Sequence, residues 1–516
     1  VFVQPYCELD TRGSVDFSGS WKALMLLRRI RDRGFIAANL PVLTATVAVI
    51  AVILVNSWRY RHTAVDDSLI YDRYFRNFFD GDGLVYNRGQ RFNGLTAPFY
   101  AYVMLAFGWF FDTPVHEAWV FSTVFMLAAA VLAIQWGRLR GQGLGISLGL
   151  CAGFSLPYFY STYGMETGLF LFLIVACLYL YETKRYQALA IAGALTVLTR
   201  GEGSILLVML VADHLIRRRP LPSWRILIAP ALILLTHYTF NWLYYGTFEP
   251  ATAHAKIWQG QSGLWDDEQF LDARRYMQSW FFEDKSWLWQ GLAALAIVGV
   301  LVRIRQTLPI LAFAVGYSSF FYFLHIPDYF WYYAPLLFLY FCYAGLGITD
   351  VASLFGRGLA GARAAGSTQV GAAMAIGTLV TGLALLNLPA QGGGPDRYQS
   401  AAKWLVNNVP ADSTLAADEI GTLGYYSHLN IVDILGLVNP DNARYIGERH
   451  FDAWTDEYHP DYYLVHSTGV GAPMWTMEHG VQKLVEQHKL WVATGFPHLP
   501  GLVLYCREGA PACSPI

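Results

Sequence analysis

Twelve apolar runs set the limits on what this chain can fold into. They lie near residues 38–57, 96–111, 117–136, 144–160, 167–182, 186–199, 203–216, 225–243, 287–302, 308–324, 329–348 and 369–389. Charged residues make up only 14% of the chain, against about 25% in ordinary soluble domains. Mean hydropathy is +0.33. In hydrocarbon a helix satisfies its own backbone polar groups, so long apolar runs of this kind predict a polytopic α-helical membrane protein. The net charge of −2 offers no electrostatic footprint for nucleic acid.

Length alone does not count the spans, because a crossing needs roughly 20 residues and several runs are shorter. Charge does better, since cytoplasmic loops collect Lys and Arg. Arg28, Arg29, Arg31 and Arg33 precede the first run and put the N-terminus inside. Residues 1–36 are basic, lack the early apolar core of a cleavable signal, and carry an amphipathic stretch expected on the inner leaflet. The other basic clusters are Arg138/Arg140, Lys184/Arg185, Arg217 to Arg219, Arg303/Arg305 and Arg357/Arg363. All fall inside only if the 96–111 run does not cross. That run therefore reads as a juxtamembrane helix within a first external loop, residues 58–116, and about eleven spans remain in a membrane domain over 37–390. Runs 186–199 and 203–216 then form a tight hairpin with Arg200 at its external tip.

After the Gln391–Pro395 linker the pattern changes. Residues 396–516 predict a small external α/β domain. Its helices are Tyr398–Asn408 and Met474–Lys489; its strands are Thr414–Asp418, Asn430–Asp433, Tyr462–His466 and Leu502–Cys506. Cys506 and Cys513 form a disulfide if the tail lies outside the cytoplasm. Cys151, Cys177 and Cys342 sit in apolar runs as packing residues.

The chemistry concentrates in the first external loop. Asp66 and Asp67 stand beside a membrane span, followed by arginines and aromatics. Acids at a helix start also serve as caps. A carboxylate there can alternatively take the proton of an incoming hydroxyl, and its neighbour would raise its pKa. Arg200, His254 and Lys256 are external cations suited to a phosphate. Arg73, Glu166, Glu202, His325 and Asp328 are candidates for contact with substrate. Asp266 to Glu268 reads as a solvated loop.

The loop DDSLIYDRYFRNFFDGDGLVYNRG resembles the first external loop of integral-membrane GT-C glycosyltransferases, closest to their arabinofuranosyltransferase-like branch. The shared positions are Asp66, Asp67, Ile70, Arg73, Tyr74, Asn77, Gly81, Gly83, Leu84, Val85, Asn87 and Gly89, with Gly94 and Thr96 downstream. Gly164 to Thr167, Thr199 to Gly203, Tyr245 to Lys256 and Asp418 to Pro440 add weaker matches, with Gly201 where that branch has Pro. The resemblance implies a GT-C fold in the plasma membrane with its active site facing the periplasm or exterior. It implies transfer of a sugar, an arabinofuranosyl or similar pentose unit, from a polyprenyl-phosphate donor to a cell-envelope glycan or glycoprotein. It also implies that Asp66 or Asp67 is the catalytic base. No metal is required; Mg²⁺ or Ca²⁺ on Asp66 and Asp67 stays open. The competing readings are a flippase or transporter of lipid-linked sugars, a mannosyl or other hexose transferase, and a catalytically silent scaffold.

Overall fold

The structure, a computed structural model, describes residues 33–63, 65–110, 114–263, 269–271, 286–359, 365–386, 397–450, 453–466 and 491–514. The basic segment before residue 33, the Asp266–Glu268 loop, the Gln391–Pro395 linker and the expected helix Met474–Lys489 lie outside the described residues.

The apolar runs become helices α1 (Arg33–Arg59), α2 (Asp66–Phe79), α3 (Pro98–Gly108), α4 (Pro114–Leu139), α5 (Gly143–Phe154), α6 (Thr167–Glu182), α7 (Tyr186–Thr199) and α8 (Gly203–Ile216). They continue as α9 (Ile228–Tyr245), α10 (Ala251–Gln261), α11 (Ser286–Val302), α12 (Ile304–Phe323), α13 (Ala334–Leu359) and α14 (Ala365–Leu386). The apolar stretches Asn39–Arg59, Ala118–Leu139, Trp224–Tyr245 and Phe330–Leu354 are 21 to 25 residues long, enough to cross a hydrocarbon layer of about 30 Å. Val47, Val211, Leu235 and Val315 point outward and exposed, where a soluble protein would carry polar groups. The chain is an integral membrane protein.

Where helices approach closely, small residues permit it. A Cβ on Gly149 would collide with the Phe341 carbonyl of α13, and one on Gly345 with the Gly145 carbonyl of α5. The 96–111 run forms α3, whose 11 residues rise about 16 Å, half of a crossing. Several basic clusters that the charge argument placed on one side meet in space. Gln142 Nε2, next to Arg140, donates to Gln306 Oε1 at 3.2 Å, and Arg217 donates to the Arg305 carbonyl at 3.1 Å.

At the other end of the bundle lies a mixed six-stranded sheet, ordered β2-β1-β3-β5-β4-β6. Its strands are β1 (Thr414–Ala417), β2 (Asn430–Asp433), β3 (Tyr462–His466), β4 (Trp491–Ala493), β5 (Leu502–Cys506) and β6 (Cys513–Ser514). The four expected strands are present; β4 and β6, three and two residues long, are too short to show alternation in sequence. Strands β1 and β2 pair in parallel through a helical crossover, Ile420–Ser427. Arg397–Asn408, the expected first helix of this region, packs against that crossover helix. Cys506 and Cys513 are joined in a disulfide.

Candidate active site

The acid pair opens α2, yet Val65 at its N-cap makes no side-chain cap bond. Asp66 caps a different helix. Its Oδ2 accepts the Gly421 N–H and its Oδ1 the Thr422 N–H, each at 2.7 Å. Those N–H groups are among the unpaired donors that open the crossover helix Ile420–Ser427, so a carboxylate from 355 residues away fills the place of a local cap. Only glycine fits at 421, because a Cβ there would run into the Asp66 carbonyl.

The rest of the loop motif continues this joint. Arg73 donates Nε to the Tyr86 carbonyl at 2.7 Å and Nη2 to the Leu429 carbonyl at 2.6 Å and Asn87 Oδ1 at 3.1 Å. Asn87 in turn pairs with the Ile431 backbone in both directions, at 2.8 and 3.0 Å, as a strand neighbour would. Arg76 donates to the Tyr425 carbonyl at 2.6 Å and stacks on its ring. Asn77 holds the Val85 and Tyr86 carbonyls, and Gly81, Gly83 and Gly89 take the positive φ values that fold the loop back. Arg73, a candidate for substrate contact, is buried among backbone acceptors and does not line the cavity described next; its bonds hold the loop.

Asp67, one residue on, faces a cavity of about 350 Å³. Glu166, Arg200, Glu202, Lys256, Tyr71, Thr96, His237, Glu249, Thr252 and Tyr332 share its wall, and the remainder is mostly apolar. The structure therefore gathers Asp67, Glu166, Arg200, Glu202 and Lys256 from four separate segments into one site. Arg200, in the turn between α7 and α8, donates to Glu166 Oε1 at 2.8 Å and to Glu202 Oε1 at 3.3 Å. Its guanidinium also rests on the Tyr332 ring, 4.8 Å from the centroid. Lys256 Nζ lies 3.9 Å from the Tyr329 ring centre. Arg200 Nε and Glu166 Oε2 have no hydrogen-bond partner in the described structure.

Other candidates lie elsewhere. His254 is exposed on α10 and does not line the cavity, although Lys256 two residues later does. His325 is exposed, in a left-handed backbone conformation at φ 53°, with Nδ1 3.0 Å from Gln269 Oε1. Asp328 is buried and accepts the Tyr333 hydroxyl. The phosphate contact expected of His254 and the substrate contacts expected of His325 and Asp328 have no support in this cavity, because none of the three lines it. His237 was missed in the sequence. It hydrogen-bonds Tyr102 at 2.8 Å and Asn241 at 3.2 Å, and the signal available was an ionisable side chain inside an apolar run.

Burial sets the proton affinities of the acids. It raises Asp66 to about 6, with the Thr422 and Gly421 N–H groups pulling the other way. It raises Asp67 also, opposed by the charge of Lys256. Glu166 is raised by burial and pulled back by Arg200. Glu419, beside Asp66, is raised well above its usual range by burial, and the Asp66 charge adds to this. Among the described residues no group of three or more His, Cys, Asp or Glu is arranged to hold a metal. Both Asp66 oxygens already accept backbone N–H groups, so a divalent ion at the acid pair would have Asp67 as its principal ligand.

Comparison with known proteins gives the fold and one sequence relative. The crystal structure of ArnT from Cupriavidus metallidurans bound to undecaprenyl phosphate aligns over 90% of this chain and 98% of its own, with TM-score 0.50 and 14% identity. The apo form of ArnT aligns over 89% and 97%, again with TM-score 0.50. At that identity the likeness shows the fold alone, that of ArnT. The terminal beta-(1->2)-arabinofuranosyltransferase of Mycobacterium tuberculosis is 30% identical over 230 residues. That match spans 39% of this chain and 36% of the relative, about a third of its length. Residues 392–505 match a family described as a domain of unknown function, DUF8728. The resemblance to arabinofuranosyltransferases carried by the loop motif is borne out.

Proposed function

We propose that this chain, with the fold of ArnT and a relative among arabinofuranosyltransferases, is an inverting membrane glycosyltransferase that uses a polyprenyl-phosphate sugar. The observation that carries the proposal is the cavity in which the Asp67 carboxyl, raised by burial, shares a largely apolar wall with the cations Arg200 and Lys256. ArnT was crystallised with undecaprenyl phosphate, which supports a lipid-phosphate donor here. The sugar we propose is arabinofuranose or a similar pentose, after the relative's name. The acceptor is a cell-envelope glycan or glycoprotein.

Asp67 takes the proton of the acceptor hydroxyl, and that oxygen attacks the anomeric carbon from the face opposite the phosphate. The bond from carbon to phosphate oxygen breaks, and polyprenyl phosphate leaves with the electron pair. Lys256 and Arg200 stabilise the charge that develops on it. Arg200 is already flanked by Glu166 and Glu202, which fix its direction. Asp66 is assigned no proton transfer; it fixes the segment from which Asp67 projects. No step is routed through a metal. The proposed topology is eleven spans with the basic clusters inside and the sheet outside, and the Cys506–Cys513 disulfide fits an oxidising compartment.

The test uses the full chain in vesicles with a synthetic prenyl-phosphoryl arabinofuranose and an oligosaccharide acceptor. Wild type should transfer the sugar and D67N should not. Equal transfer by D67N would overturn the base assignment. Movement of the lipid-linked sugar across the bilayer without transfer would establish the flippase reading instead.

A further inference from the structure

The end of the bundle opposite the candidate active site carries a second cavity, of about 310 Å³. It is lined by Arg140, Tyr181, Glu182, Asp213, Arg217, Arg219 and Gln306 among apolar neighbours. Glu166 and Glu182 bracket α6, and Arg200 and Arg217 bracket α8, so this cavity lies about 20–24 Å from the first along the same helices.

Its charges are unequal. Arg140, Arg217 and Arg219 supply three positive charges against the two negative charges of Glu182 and Asp213, an excess of one (3 − 2). Arg140 pairs with Glu182 at 2.6 Å, and Arg217 with Asp213 at 2.7 Å. The Tyr181 hydroxyl donates to the other Asp213 oxygen at 2.6 Å, which takes up that carboxylate further. Arg219 is in no ion pair among the described residues; its guanidinium lies over the Tyr181 ring, 5.1 Å from the centroid. The backbone turns sharply to bring it there. Arg218 takes a left-handed conformation, φ 51°, and the Arg219 N–H closes on the His214 carbonyl at 3.1 Å. Arg217 and Arg219 thereby line the cavity while Arg218 does not.

A positive-inside cluster spread over a loop needs no ligand. Arginines drawn from the ends of α4 and α8 into one cavity, with one charge left over, form a receptor for a phosphate-bearing anion. We propose that this cavity binds a phosphate group through Arg219, with Arg217 and Arg140 closing around it. Two sources present that chemistry at this end: the head group of an anionic lipid in the leaflet opposite the proposed donor, and a soluble phosphate.

The test is native mass spectrometry of the full chain purified in detergent and offered phosphatidylglycerol, phosphatidylcholine or inorganic phosphate. Wild type should retain phosphatidylglycerol over phosphatidylcholine. R219Q should weaken that retention about 5-fold, the change matching about 1 kcal/mol per arginine near an anionic surface. R219K, which keeps the charge, should stay near wild type. R217Q, on the exposed side, supplies the same comparison should R219Q fail to fold. Displacement of the lipid by millimolar inorganic phosphate assigns the site to soluble phosphate; its absence assigns it to lipid. Equal binding by wild type, R219Q and R217Q overturns the proposal, as does failure of wild type to bind either phosphatidylglycerol or phosphate. Sugar transfer by R219Q serves as the check on the fold and is independent of the outcome.

Discussion

The Asp66 carboxylate accepts the Gly421 N–H at 2.7 Å, joining the start of α2 to the start of a helix in the C-terminal sheet unit. This contact divides the work of two adjacent acids. Asp66 spends its oxygens on backbone donors, and Asp67 faces the cavity.

Substitution should separate the two residues. D67N should lower kcat by about 10²–10⁴-fold, the usual loss with a general base, with little change in melting temperature. D66A should instead lower stability by about 1–2 kcal/mol, because two helix-opening N–H groups lose their acceptor. Thermal unfolding and kcat measured on the same preparations decide it. A D66A protein that is fully stable but inactive would reverse the assignment.

The acidic limb of the transfer rate should report Asp67. Burial raises its carboxyl, so the ionised base appears only above the ordinary aspartate range. The rate should therefore fall on acidification at a pH above about 4. A limb at or below that value would show that another group takes the proton.

Stability should depend on pH with the opposite sense to ordinary acid unfolding. Asp66 holds its proton more tightly when folded, at about 6, than in the unfolded chain, near 3.8. Its stabilising contribution is complete below about pH 4 and is lost as pH rises through about 6. Asp433, at about 7, and Asp72, at about 8, shift the same way and extend the trend upward. Melting temperature followed from pH 4 to 8 should decline less steeply through the lower half of that range in D66N than in wild type.

The two cavity cations should respond differently. Lys256 rests its ammonium on the Tyr329 ring, so K256Q should raise the donor KM by about 10-fold and leave the fold unchanged. R200A strands the buried Glu166 charge and should cost about 3–5 kcal/mol of stability as well as activity. Equal melting temperatures for R200A and wild type would show that the Arg200–Glu166 pair does not hold the turn.

Glycine substitutions test the joint by geometry alone. G421A should cost clearly more than D66A, since its methyl collides with the Asp66 backbone carbonyl as well as breaking the cap. G81A meets nothing within 4 Å and should cost only the strain of φ +92°, about 1–2 kcal/mol. Similar losses in both would remove the steric argument.

The sequence made the helices legible because hydrophobic runs are local. Thr167–Glu182, Tyr186–Thr199 and Gly203–Ile216 stand where the runs stand. The site was half legible. Arg200, Lys256 and Asp67 could be nominated from charge in apolar surroundings, and they do share a cavity. The joint was not legible. Arg73 reads as a candidate for substrate contact until Leu429, 356 residues later, is seen to receive its hydrogen bond. His237 hid in an apolar run because its partners, Tyr102 and Asn241, supply its polarity from two helices.

The cap made by Asp66 has a consequence for biogenesis. The residues that complete it, Gly421 and Thr422, leave the ribosome some 350 residues after the acid pair. The spans can insert one by one, yet the carboxylates acquire their final arrangement only when nearly the whole polypeptide has been made and its last unit has docked. A truncated product would hold every membrane helix and still lack a working reaction centre.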